Sequence, residues 1–600
     1  MKKDSLFLAF LCFALLVAGA LFAAPAKTLV GTVPLGPDNP RNSEGDFIRL
    51  KNGEILYVYT HYYGNRSGDN DPAYLASRRS ADGGETWSGE DEIVLPNEGK
   101  LNVMSVTLRR MNDGRIALFY LVKESEIDCR PYLRFSGDEG KTWGARIALV
   151  SEPSYNVVNN DRAAILSDGR ILVPAARHPL KKIERGQELL WSADVFCLIS
   201  DDGGATWREG DRAPNPGGVM YQEPGVCELA DGRVLMNIRT DAGSQYFVYS
   251  SDGGQSWSEP VPSVLDSPLS PAVIKRIPGS DELLAVWNPL RDGRVSGNGS
   301  RALMYYGRLS SDGGRLLGRR FVIGVSESDD QNWQYPAVLF NGDGTFLTAF
   351  FSWKEGIRIY KMNVPEVTEL FNGRDLTGWT KYLNGRETGE DPENVFTVRD
   401  GVIRISGAEW GGISTDGEFS DYHASLEFKW GEETHGPRKG LARDSGFLFH
   451  AGGEEGGFAR IWLYSFEANI VEGGIGDFWL VGNEEEGYTA TGRVTVRGGQ
   501  RIFDPKGGEN VTLTKHAQGP FRWWGFDPDW KDVAGFRSKD EIAKQGEWTR
   551  LEVVAEGDAA EFYVDGVLVN RVTDLSRTFG RLQIQSEGAE VFYRNITVTQ

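Results

Sequence analysis

Short apolar segments separated by tight polar turns recur through residues 27–365. Six turns lie between such segments: Asn52-Gly53, Asp113-Gly114, Asp168-Gly169, Asp231-Gly232, the degenerate Ser280-Asp281 and Asp343-Gly344. Asn-Gly and Asp-Gly dipeptides flanked by apolar runs are strong hairpin signals, because both residues accept a positive φ. The pattern predicts six hairpin-based units, which is typical of a six-bladed β-propeller.

A second motif, Ser-x-Asp-x-Gly-x-Thr/Ser-Trp, repeats in the same region. Four intact copies begin at Ser80, Ser136, Ser200 and Ser250, and a fifth at Ser310 has lost its Thr and Trp. In such a turn the Ser and Asp side chains can hydrogen-bond the backbone, Gly supplies a positive φ, and Trp packs beneath the hairpin. We therefore expect the Asp of each copy to be structural rather than catalytic.

Beyond Pro365 the repeats stop and a different all-β pattern follows. Alternating apolar and polar residues flank the turns Asp400-Gly401 and Asp565-Gly566. Short alternating strands joined by Gly turns are typical of a β-sandwich. The predicted domains are therefore the propeller, residues 27–365, and a β-sandwich, residues 366–600.

The first 24 residues have the pattern of an export signal. Lys2 and Lys3 precede an apolar run from Leu6 to Phe22, and the small pair Ala23-Ala24 follows. We predict a cleaved signal peptide over residues 1–24 and a secreted or periplasmic protein. A membrane anchor is the alternative, but the run is barely as long as the roughly 18 residues that span a bilayer. We expect no membrane association after signal removal.

Charge and cysteine usage exclude several classes of function. The chain has 85 acidic and 65 basic residues, a net charge of −20. Such a surface repels nucleic acid, and no Lys/Arg stripe offsets the repulsion. Cys129, Cys197 and Cys227, which would remain after export, are too few for a disulfide framework. No Cys/His spacing fits zinc, and we expect neither a metal nor a cofactor.

Equal offsets from the hairpin turn place residues at equal heights in superposable blades. Nine residues before each turn glycine stand Glu44, Ser105, Asn160, Glu223 and Tyr335, with Ser270 near that level in blade 5. Polar groups are unexpected at the start of otherwise apolar inner strands. We therefore expect these residues to ring the propeller axis.

A second set of polar residues ends the following strands. It comprises Thr60, His61, Lys123, Arg177, His178, Arg239 and Asn288. Because Arg suits bidentate recognition of carboxylates, we predict that Arg239 and Arg177 bind substrate, together with His61 and Asn160. In the alternative interpretation, these arginines pair with carboxylates of the boxes or loops.

The repeated Ser-x-Asp motif is the Asp box of the bacterial neuraminidase repeat, so the propeller region resembles the sialidase superfamily. The segment Glu223–Arg239 is similar to the sialidase segment that carries the nucleophile's partner Glu and one Arg of a carboxylate-binding triad. Arg301 stands where another triad Arg is expected, and Tyr335-Pro-Ala-Val resembles the segment of the Tyr nucleophile. Asp69 or Asp71 falls near the acid/base Asp.

The resemblance implies a Tyr nucleophile, which is an exception among glycosidases. A phenol is a poor nucleophile near neutral pH, so Tyr335 needs an adjacent base such as Glu223. A loop Asp, at position 69 or 71, can protonate the leaving oxygen if partial burial raises its pKa. We expect a glycan or glycoside as the substrate.

One stretch departs from the sialidase pattern. Where an Arg-Ile-Pro motif is expected, the chain has Asn42-Ser43-Glu44-Gly45, so Ser43 occupies the Arg register. Arg41 lies two residues away, and we expect it to enter the site only with a shifted loop. Glu44 would repel a sugar carboxylate, and a neutral or differently charged sugar, with Glu44 and Glu223 in acid/base roles, is the alternative to sialic acid.

Residues 366–600 resemble the 3-keto-disaccharide hydrolase family, a concanavalin-like jelly roll. The resemblance rests on the opening Leu370-Phe-Asn-Gly373, on Asp444-Ser-Gly-Phe447, on Glu467–Trp479 and on the closing Gln585-Ser-Glu-Gly588. It implies the processing of 3-keto sugars or sugar binding on the concave sheet. The expected fold class is thus all-β, a six-bladed propeller followed by a concanavalin-like jelly-roll sandwich.

Four polar groups of the sandwich are site candidates: His450, Glu467, Glu472 and Asp477. Glu467 lies between apolar strand neighbours, where a buried carboxylate needs a reason. His450 follows an apolar strand and is equally well explained as a core histidine. The Gly-rich loop from Glu472 to Asp477 could bind a cation through oxygens, although a solvated turn is the commoner outcome.

Three hypotheses of function follow. In the first, the chain is an exported glycoside hydrolase whose propeller cleaves a terminal sugar and whose sandwich binds or further cleaves the glycan. In the second, the propeller binds glycans without catalysis, which the missing Arg-Ile-Pro motif favours. In the third, all catalysis is in the sandwich and acts on oxidised sugars, while the propeller recognises the substrate.

Overall fold

The computed structural model describes residues 27–183, 186–291, 293–297, 299–325, 332–539, 541–543 and 546–600. The predicted signal peptide lies outside these residues. The described chain is built of β-strands, and its helices are three single 3₁₀ turns: Gly436–Arg438, Glu484–Glu486 and His516–Gln518. None of these described helices has the length and apolar character needed to cross a bilayer.

Six antiparallel blades make up the propeller, as predicted. Blade 1 contains β2 (Arg41–Arg49), β3 (Ile55–Tyr62), β4 (Ala73–Ser80) and β5 (Glu92–Leu95), and blade 2 contains β6 (Asn102–Arg110), β7 (Ile116–Ser125), β8 (Asp128–Ser136) and β9 (Ile147–Ala148). Blade 3 contains β10 (Asn156–Val157), β11 (Ala164–Ile165), β12 (Ile171–Arg177), β15 (Asp194–Ser200) and β16 (Arg208–Glu209), with a separate hairpin of β13 (Leu180–Ile183) and β14 (Gly186–Leu189). Blade 4 contains β17 (Tyr221–Glu228), β18 (Val234–Thr240), β19 (Ser244–Ser250) and β20 (Val261–Asp266), and blade 5 contains β21 (Val273–Arg276), β22 (Leu283–Trp287), β23 (Leu303–Leu309) and β24 (Leu316–Val325).

Blade 6 closes the ring with strands from both ends of the domain. It contains β25 (Gln334–Phe340), β26 (Thr345–Ser352) and β27 (Gly356–Asn363), and its fourth strand is β1 (Thr28–Val33), which pairs antiparallel with β27. Because the first strand completes the last blade, the ring has no open seam between blades 6 and 1.

The Asp boxes are turns that fix one blade against the next. In the first box, Ser80 Oγ accepts the Gly84 N–H at 2.9 Å and donates to Asp82 Oδ1 at 2.8 Å, while Asp82 accepts the Thr86 N–H at 2.9 Å. A Cβ on Gly84 would lie 2.6 Å from Leu347 of blade 6, so glycine permits this close packing. The expectation of a structural role for the box Asp is confirmed.

A buried ionic network fills the centre of the propeller. Arg109 of blade 2 pairs with Asp46 of blade 1 at 2.8 Å and with Asp161 of blade 3 at 2.9 Å. Lys275 of blade 5 also pairs with Asp161, at 2.5 Å. Both carboxylates are fully buried, and the two cations balance them, which offsets the cost of taking these charges out of water.

The strands of the second domain form one nearly closed sheet around a single core. They are β28 (Val367–Glu369), β29 (Trp379–Leu383), β30 (Phe396–Arg399), β31 (Val402–Ile405), β32 (Gly411–Thr415), β33 (Phe419–Ser420), β34 (Tyr422–Thr434), β35 (Asp444–Gly452), β36 (Tyr464–Val471), β37 (Phe478–Val481), β38 (Ala490–Arg497), β39 (Gln500–Phe503), β40 (Glu509–Leu513), β41 (Phe521–Arg522), β42 (Thr549–Glu556), β43 (Ala559–Val564), β44 (Val567–Thr573), β45 (Phe579–Ser586) and β46 (Ala589–Thr599). The long strand β34 pairs antiparallel with both β42 and β46. The all-β fold class is therefore confirmed.

Replacing Ser80 with Ala tests the box as a structural lock. The change leaves the buried Gly84 N–H without its acceptor, which costs about 1–3 kcal/mol. We expect a lower midpoint for the propeller's unfolding transition in calorimetry of the full chain. The control is Ser311→Ala, an exposed Ser of the degenerate fifth box. Equal midpoints for the two variants would contradict the role of the box.

Candidate functional site

Four inner strands carry a β-bulge at the position nine residues before the hairpin glycine. The bulged residues are Glu44, Ser105, Glu223 and Tyr335, whose φ angles are 53°, 54°, 37° and 54°. A left-handed backbone at a non-Gly residue costs about 1–3 kcal/mol, and such residues cluster at functional sites. The bulge re-aims each side chain, and the contacts below place these four side chains around the axis.

Blade 3 departs from this pattern by one residue. There Asp161, not Asn160, has the positive φ, of 56°. The Asn160 side chain is fully buried and donates to the carbonyls of Gly45 at 2.9 Å and Tyr335 at 3.2 Å. The structure thus corrects the expectation that Asn160 binds substrate: it ties blades 1 and 6 together instead.

Tyr335 and Glu223 form the centre of the propeller site. The Tyr335 hydroxyl donates to Glu223 Oε1 at 2.9 Å, and Arg239 pairs with Glu223 Oε2. The ring of Tyr335 stacks on Phe351 with centroids 5.9 Å apart. The three predicted residues, from blades 4 and 6, are thus brought into direct contact.

The protonation states suit a phenol that gives its proton to a carboxylate. Burial and the neighbouring Glu223 raise the pKa of Tyr335 well above its usual range. Burial also raises the pKa of Glu223, but the Arg239 charge and two hydrogen bonds outweigh it, and the net pKa is lowered. Glu223 is therefore ionised near neutral pH and holds the Tyr335 proton as an acceptor.

Arg41 enters the site directly from β2. Its Nη1 pairs with Asp69 Oδ1 at 2.6 Å, its Nη2 pairs with Glu44 Oε1 at 3.2 Å, and its Nε donates to Ser43 Oγ at 3.1 Å. This corrects the expectation that Arg41 needs a shifted loop: the bulge follows Ser43, so Arg41 keeps the regular strand position that faces the pit. The sequence signal for this arrangement is the three-residue spacing of Arg41 and Glu44, which lets the two side chains form an ion pair.

Three aromatic rings enclose the Arg41 guanidinium. Its Cζ lies 4.5 Å from the ring centroid of Tyr62, 5.3 Å from that of Phe351 and 4.3 Å from that of Trp353. Because Phe351 also stacks on Tyr335, the two halves of the site share one aromatic wall. Cation–π contacts at a buried site each contribute about 1–2 kcal/mol and hold Arg41 in place.

Glu44 lies between Arg41 and blade 2. It accepts a hydrogen bond from Ser105 Oγ at 2.5 Å and is 3% exposed. Burial raises its pKa to about 7, although the Arg41 charge acts in the opposite direction. Glu44 therefore changes charge near neutral pH, beside the cation that would meet an acidic substrate.

Of the two loop carboxylates, the structure brings Asp69 to the site. Desolvation by nearby protein atoms raises the pKa of Asp69, but the charge and hydrogen bond of Arg41 have the larger effect. The net pKa of Asp69 is therefore below its usual range. Lys123 Nζ and Asn102 Nδ2 donate to the Asp69 carbonyl at 3.1 and 2.9 Å and fix the loop. Asp71 instead accepts the Gly68 N–H at 2.7 Å, as part of the loop turn.

Arg301 completes the group of cations. It donates to Gln334 Oε1 at 2.6 Å and to the Leu269 carbonyl, and within the described residues no carboxylate pairs with it. Burial, followed by repulsion from Arg239, lowers the pKa of Arg301 to about 10. A half-buried guanidinium without a carboxylate partner is suited to receive an anion.

Arg177 and His61 lie outside this group. Arg177 donates to Asn156 Oδ1 at 3.0 Å and pairs with Glu209 at the outer edge of blade 3. His61 Nδ1 lies 2.8 Å from Asp91 Oδ2. The structure thus gives both side chains a local carboxylate partner and does not bring them into contact with Tyr335 or Glu223.

The sandwich has a separate carboxylate cluster around Glu467. Asn469 Nδ2 donates to Glu467 Oε1 at 3.0 Å and to Asp444 Oδ1 at 3.4 Å. Burial and the charge of Asp444 raise the pKa of Glu467 to about 8, and burial with both neighbours raises that of Glu587 well above its usual range. Gly446 makes the room, since a Cβ there would lie 2.3 Å from Glu467 Oε1.

Asp444 and Glu587 were quoted in sequence motifs but not predicted as site residues. Both are only partly exposed, whereas Glu467 is 4% exposed beneath them. Asp444 also pairs with Arg438 at 3.3 Å, which favours its ionised form over those of the other two carboxyls. The sequence signal that could have identified them is their position: Asp444 begins the apolar strand β35, and Glu587 directly follows the strand β45.

The other three sandwich candidates each have a polar partner of their own. His450 is fully buried, its Nδ1 bonds the Arg577 carbonyl at 2.9 Å, and burial lowers its pKa to about 4. Glu472 pairs with Arg443 at 2.5 Å, and Asp477 pairs with Arg522 at 2.6 Å. Asp477 nevertheless lies near enough to Glu467 for its charge to help raise the pKa of Glu467, whereas no contact within the described residues links His450 or Glu472 to Glu467. Within the described residues no acidic, His or Cys group has the arrangement of a metal site.

Two family models match this chain. Residues 53–348 match a BNR repeat-like domain, and residues 366–599 match a 3-keto-alpha-glucoside-1,2-lyase-like domain. The chain is 26% identical over 382 residues to a sialidase of Micromonospora viridifaciens, which covers 56% of this chain and 54% of that protein. It is 29% identical over 236 residues to a sialidase of Clostridium perfringens, with 35% and 58% covered.

The chain therefore spans between half and three fifths of the length of these curated relatives. Among solved structures, Trypanosoma rangeli sialidase is similar over 96% of this chain and 97% of its own, at 13% identity and a TM-score of 0.46. From its BNR repeats and its sialidase relatives, the propeller belongs to the sialidase superfamily, and a 3-keto-alpha-glucoside-1,2-lyase-like domain follows it.

Proposed function

We propose that the propeller is an exo-acting glycoside hydrolase with Tyr335 as its nucleophile. The observation that carries this proposal is the hydrogen bond of Tyr335 to Glu223, whose second oxygen is held by Arg239. Tyr335 attacks the anomeric carbon as its proton passes to Glu223, and the bond to the leaving oxygen breaks. Water then releases the sugar from Tyr335, as in retaining glycosidases.

Asp69 is the proposed acid that protonates the leaving oxygen. In the free protein its pair with Arg41 favours the ionised form. A substrate that excludes water and shares Arg41 weakens that preference, so the bound state favours protonation. Asp69 afterwards activates the water of the second step as a base.

The proposed substrate is a terminal sugar with a carboxylate, of the sialic acid class. Arg301 is the supporting group, because no described carboxylate forms an ion pair with it, and Arg239 and Arg41 lie beside the same pit. Glu44 opposes an anion when ionised, but with a pKa of about 7 it is largely neutral in mildly acidic solution. The relatives named as sialidases also support this class.

For the sandwich we propose a second activity, on 3-keto glycosides. A 3-keto group acidifies the C2 proton, and Asp444, held by Arg438, is suited to remove it. The C1–O bond breaks as the C1=C2 bond forms, and neutral Glu467 protonates the leaving oxygen. The cluster of three carboxyls with separated pKa values supports this assignment. We also propose export, on the N-terminal residues 1–24.

Loss of the nucleophile or its base should abolish propeller activity. We expect Tyr335→Phe and Glu223→Gln to lower kcat on sialosides by about 100-fold or more, because each removes a group that acts in the transition state. The assay is release of a chromogenic leaving group by the full chain. Arg177→Ala, at the outer edge of blade 3, is the matched control and should keep wild-type kcat. Unchanged hydrolysis in both active-site variants would exclude the propeller as the catalyst.

The charge of Glu44 should control the pH dependence for acidic substrates. Above about pH 7 Glu44 is ionised, so it competes for Arg41 and repels a substrate carboxylate. We expect kcat/KM on a sialoside to fall as the pH rises through 7, and Glu44→Gln to remove this step from the profile. A step of the same size in Glu44→Gln would assign the titration to another group.

Single substitutions should abolish the activity of one domain and leave that of the other unchanged. Glu467→Gln should stop turnover of a 3-keto-disaccharide and leave sialoside hydrolysis unchanged, whereas Tyr335→Phe should do the opposite. Product formation by the full chain is followed by chromatography for both substrates. Glu485→Gln, an exposed Glu of the same domain, is the control. The sandwich assignment is wrong if Glu467→Gln retains full turnover of the 3-keto substrate.

A further inference from the structure

Trp353 lies at the rim of the propeller site, directly beside Arg41. Its ring centroid is 4.3 Å from Arg41 Cζ, and its ring meets Phe351 edge-on at 5.8 Å. The residue nevertheless remains 39% exposed. Part of the indole therefore covers the buried guanidinium, and a large part of its aromatic surface is left to solvent.

The position of the acid fixes where the leaving group must begin. An acid catalyst contacts the leaving oxygen, so the leaving sugar starts beside the Asp69 carboxylate and continues towards solvent. Asp69 lies at the exposed rim and pairs with Arg41 Nη1 at 2.6 Å. Trp353 and Asp69 thus contact the same guanidinium, and the exposed indole borders the path that the leaving group takes.

The chemistry of an exposed indole matches a sugar ring. A pyranose has an apolar face of C–H groups and a rim of hydroxyls, and a flat aromatic ring provides a complementary apolar surface. Trp offers the largest such surface at a low cost in side-chain entropy. Its contacts with Arg41 and Phe351 further restrict the ring, so little ordering remains to be done on binding.

We propose that Trp353 forms the binding surface for the first sugar of the leaving group, a neutral hexose. This inference rests on the proposed glycosidase function, because it uses Asp69 as the acid. It deepens that function by assigning specificity for the leaving side of the bond to a residue outside the nucleophile–base pair. Substrates with a carbohydrate leaving group are bound more tightly than those with a small alkyl group.

A second exposed indole provides a matched control. Trp191 is 75% exposed, and its carbonyl accepts a hydrogen bond from Gln222 Nε2 at 3.0 Å, next to Glu223. Its backbone therefore lies beside β17, and within the described residues no aromatic or cation–π contact joins its ring to Arg41 or Phe351. Removing Trp191 subtracts a similar aromatic surface without touching the path of the leaving group.

The test compares two sialosides with the same terminal sugar, one with a lactose leaving group and one with methyl. In the full chain we expect Trp353→Ala to lower kcat/KM for the lactose substrate about tenfold, equivalent to 1.4 kcal/mol. The methyl substrate should change less than about twofold. Trp353→Phe, which keeps a ring over Arg41, should recover most of the loss. Trp191→Ala should change kcat/KM by the same factor for both substrates.

An equal loss on both substrates in Trp353→Ala would overturn the proposal, since Trp353 would then act only by covering Arg41. A selective loss in Trp191→Ala, with none in Trp353→Ala, would also overturn it. Lactose binding to the Tyr335→Phe variant, measured by isothermal titration calorimetry, separates the proposal from the glycosidase function. Binding that disappears with Trp353→Ala supports the surface even if no sialoside is cleaved, and undiminished binding refutes it.

Discussion

A left-handed backbone at the same level of four inner strands is the constraint on which the propeller site depends. At Glu44, Ser105, Glu223 and Tyr335 the bulge places polar side chains over the axis, where a regular strand would place apolar ones. The local cost of about 1–3 kcal/mol per residue is offset by blade packing and by the buried ions around Asp161. The bulges thus position the groups of the candidate site without any ligand.

The charges of the propeller site are balanced unevenly, and the imbalance indicates its chemistry. Arg239 is matched by Glu223, and Arg41 by Glu44 and Asp69, so these ions hold one another in place. Arg301 has only neutral described partners. Since a buried cation is stabilised by an anion in low dielectric, Arg301 is the basis of the proposal that the substrate carries a carboxylate.

The two domains set the protonation of their site carboxyls in different ways. In the propeller, cations lower the pKa of Glu223 and Asp69 and keep both carboxylates ionised in the free protein. In the sandwich, three carboxyls share one partly buried cluster, and mutual repulsion with burial keeps Glu467 protonated near neutral pH. One site thus begins with its carboxylates charged, and the other with a neutral acid.

Local sequence signals predicted the all-β architecture and the Glu223–Tyr335 pair of the propeller site. Turn dipeptides, Asp boxes and alternating strands are local signals, so six blades and a sandwich followed from them, and one shared offset led to Glu223 and Tyr335. Only the tertiary structure determined that Arg41 reaches Asp69, that Asn160 holds the Tyr335 backbone, and that Asp444 and Glu587 join Glu467. These contacts depend on a bulge and on strands distant in the chain, and the closing of the sheets brings them together.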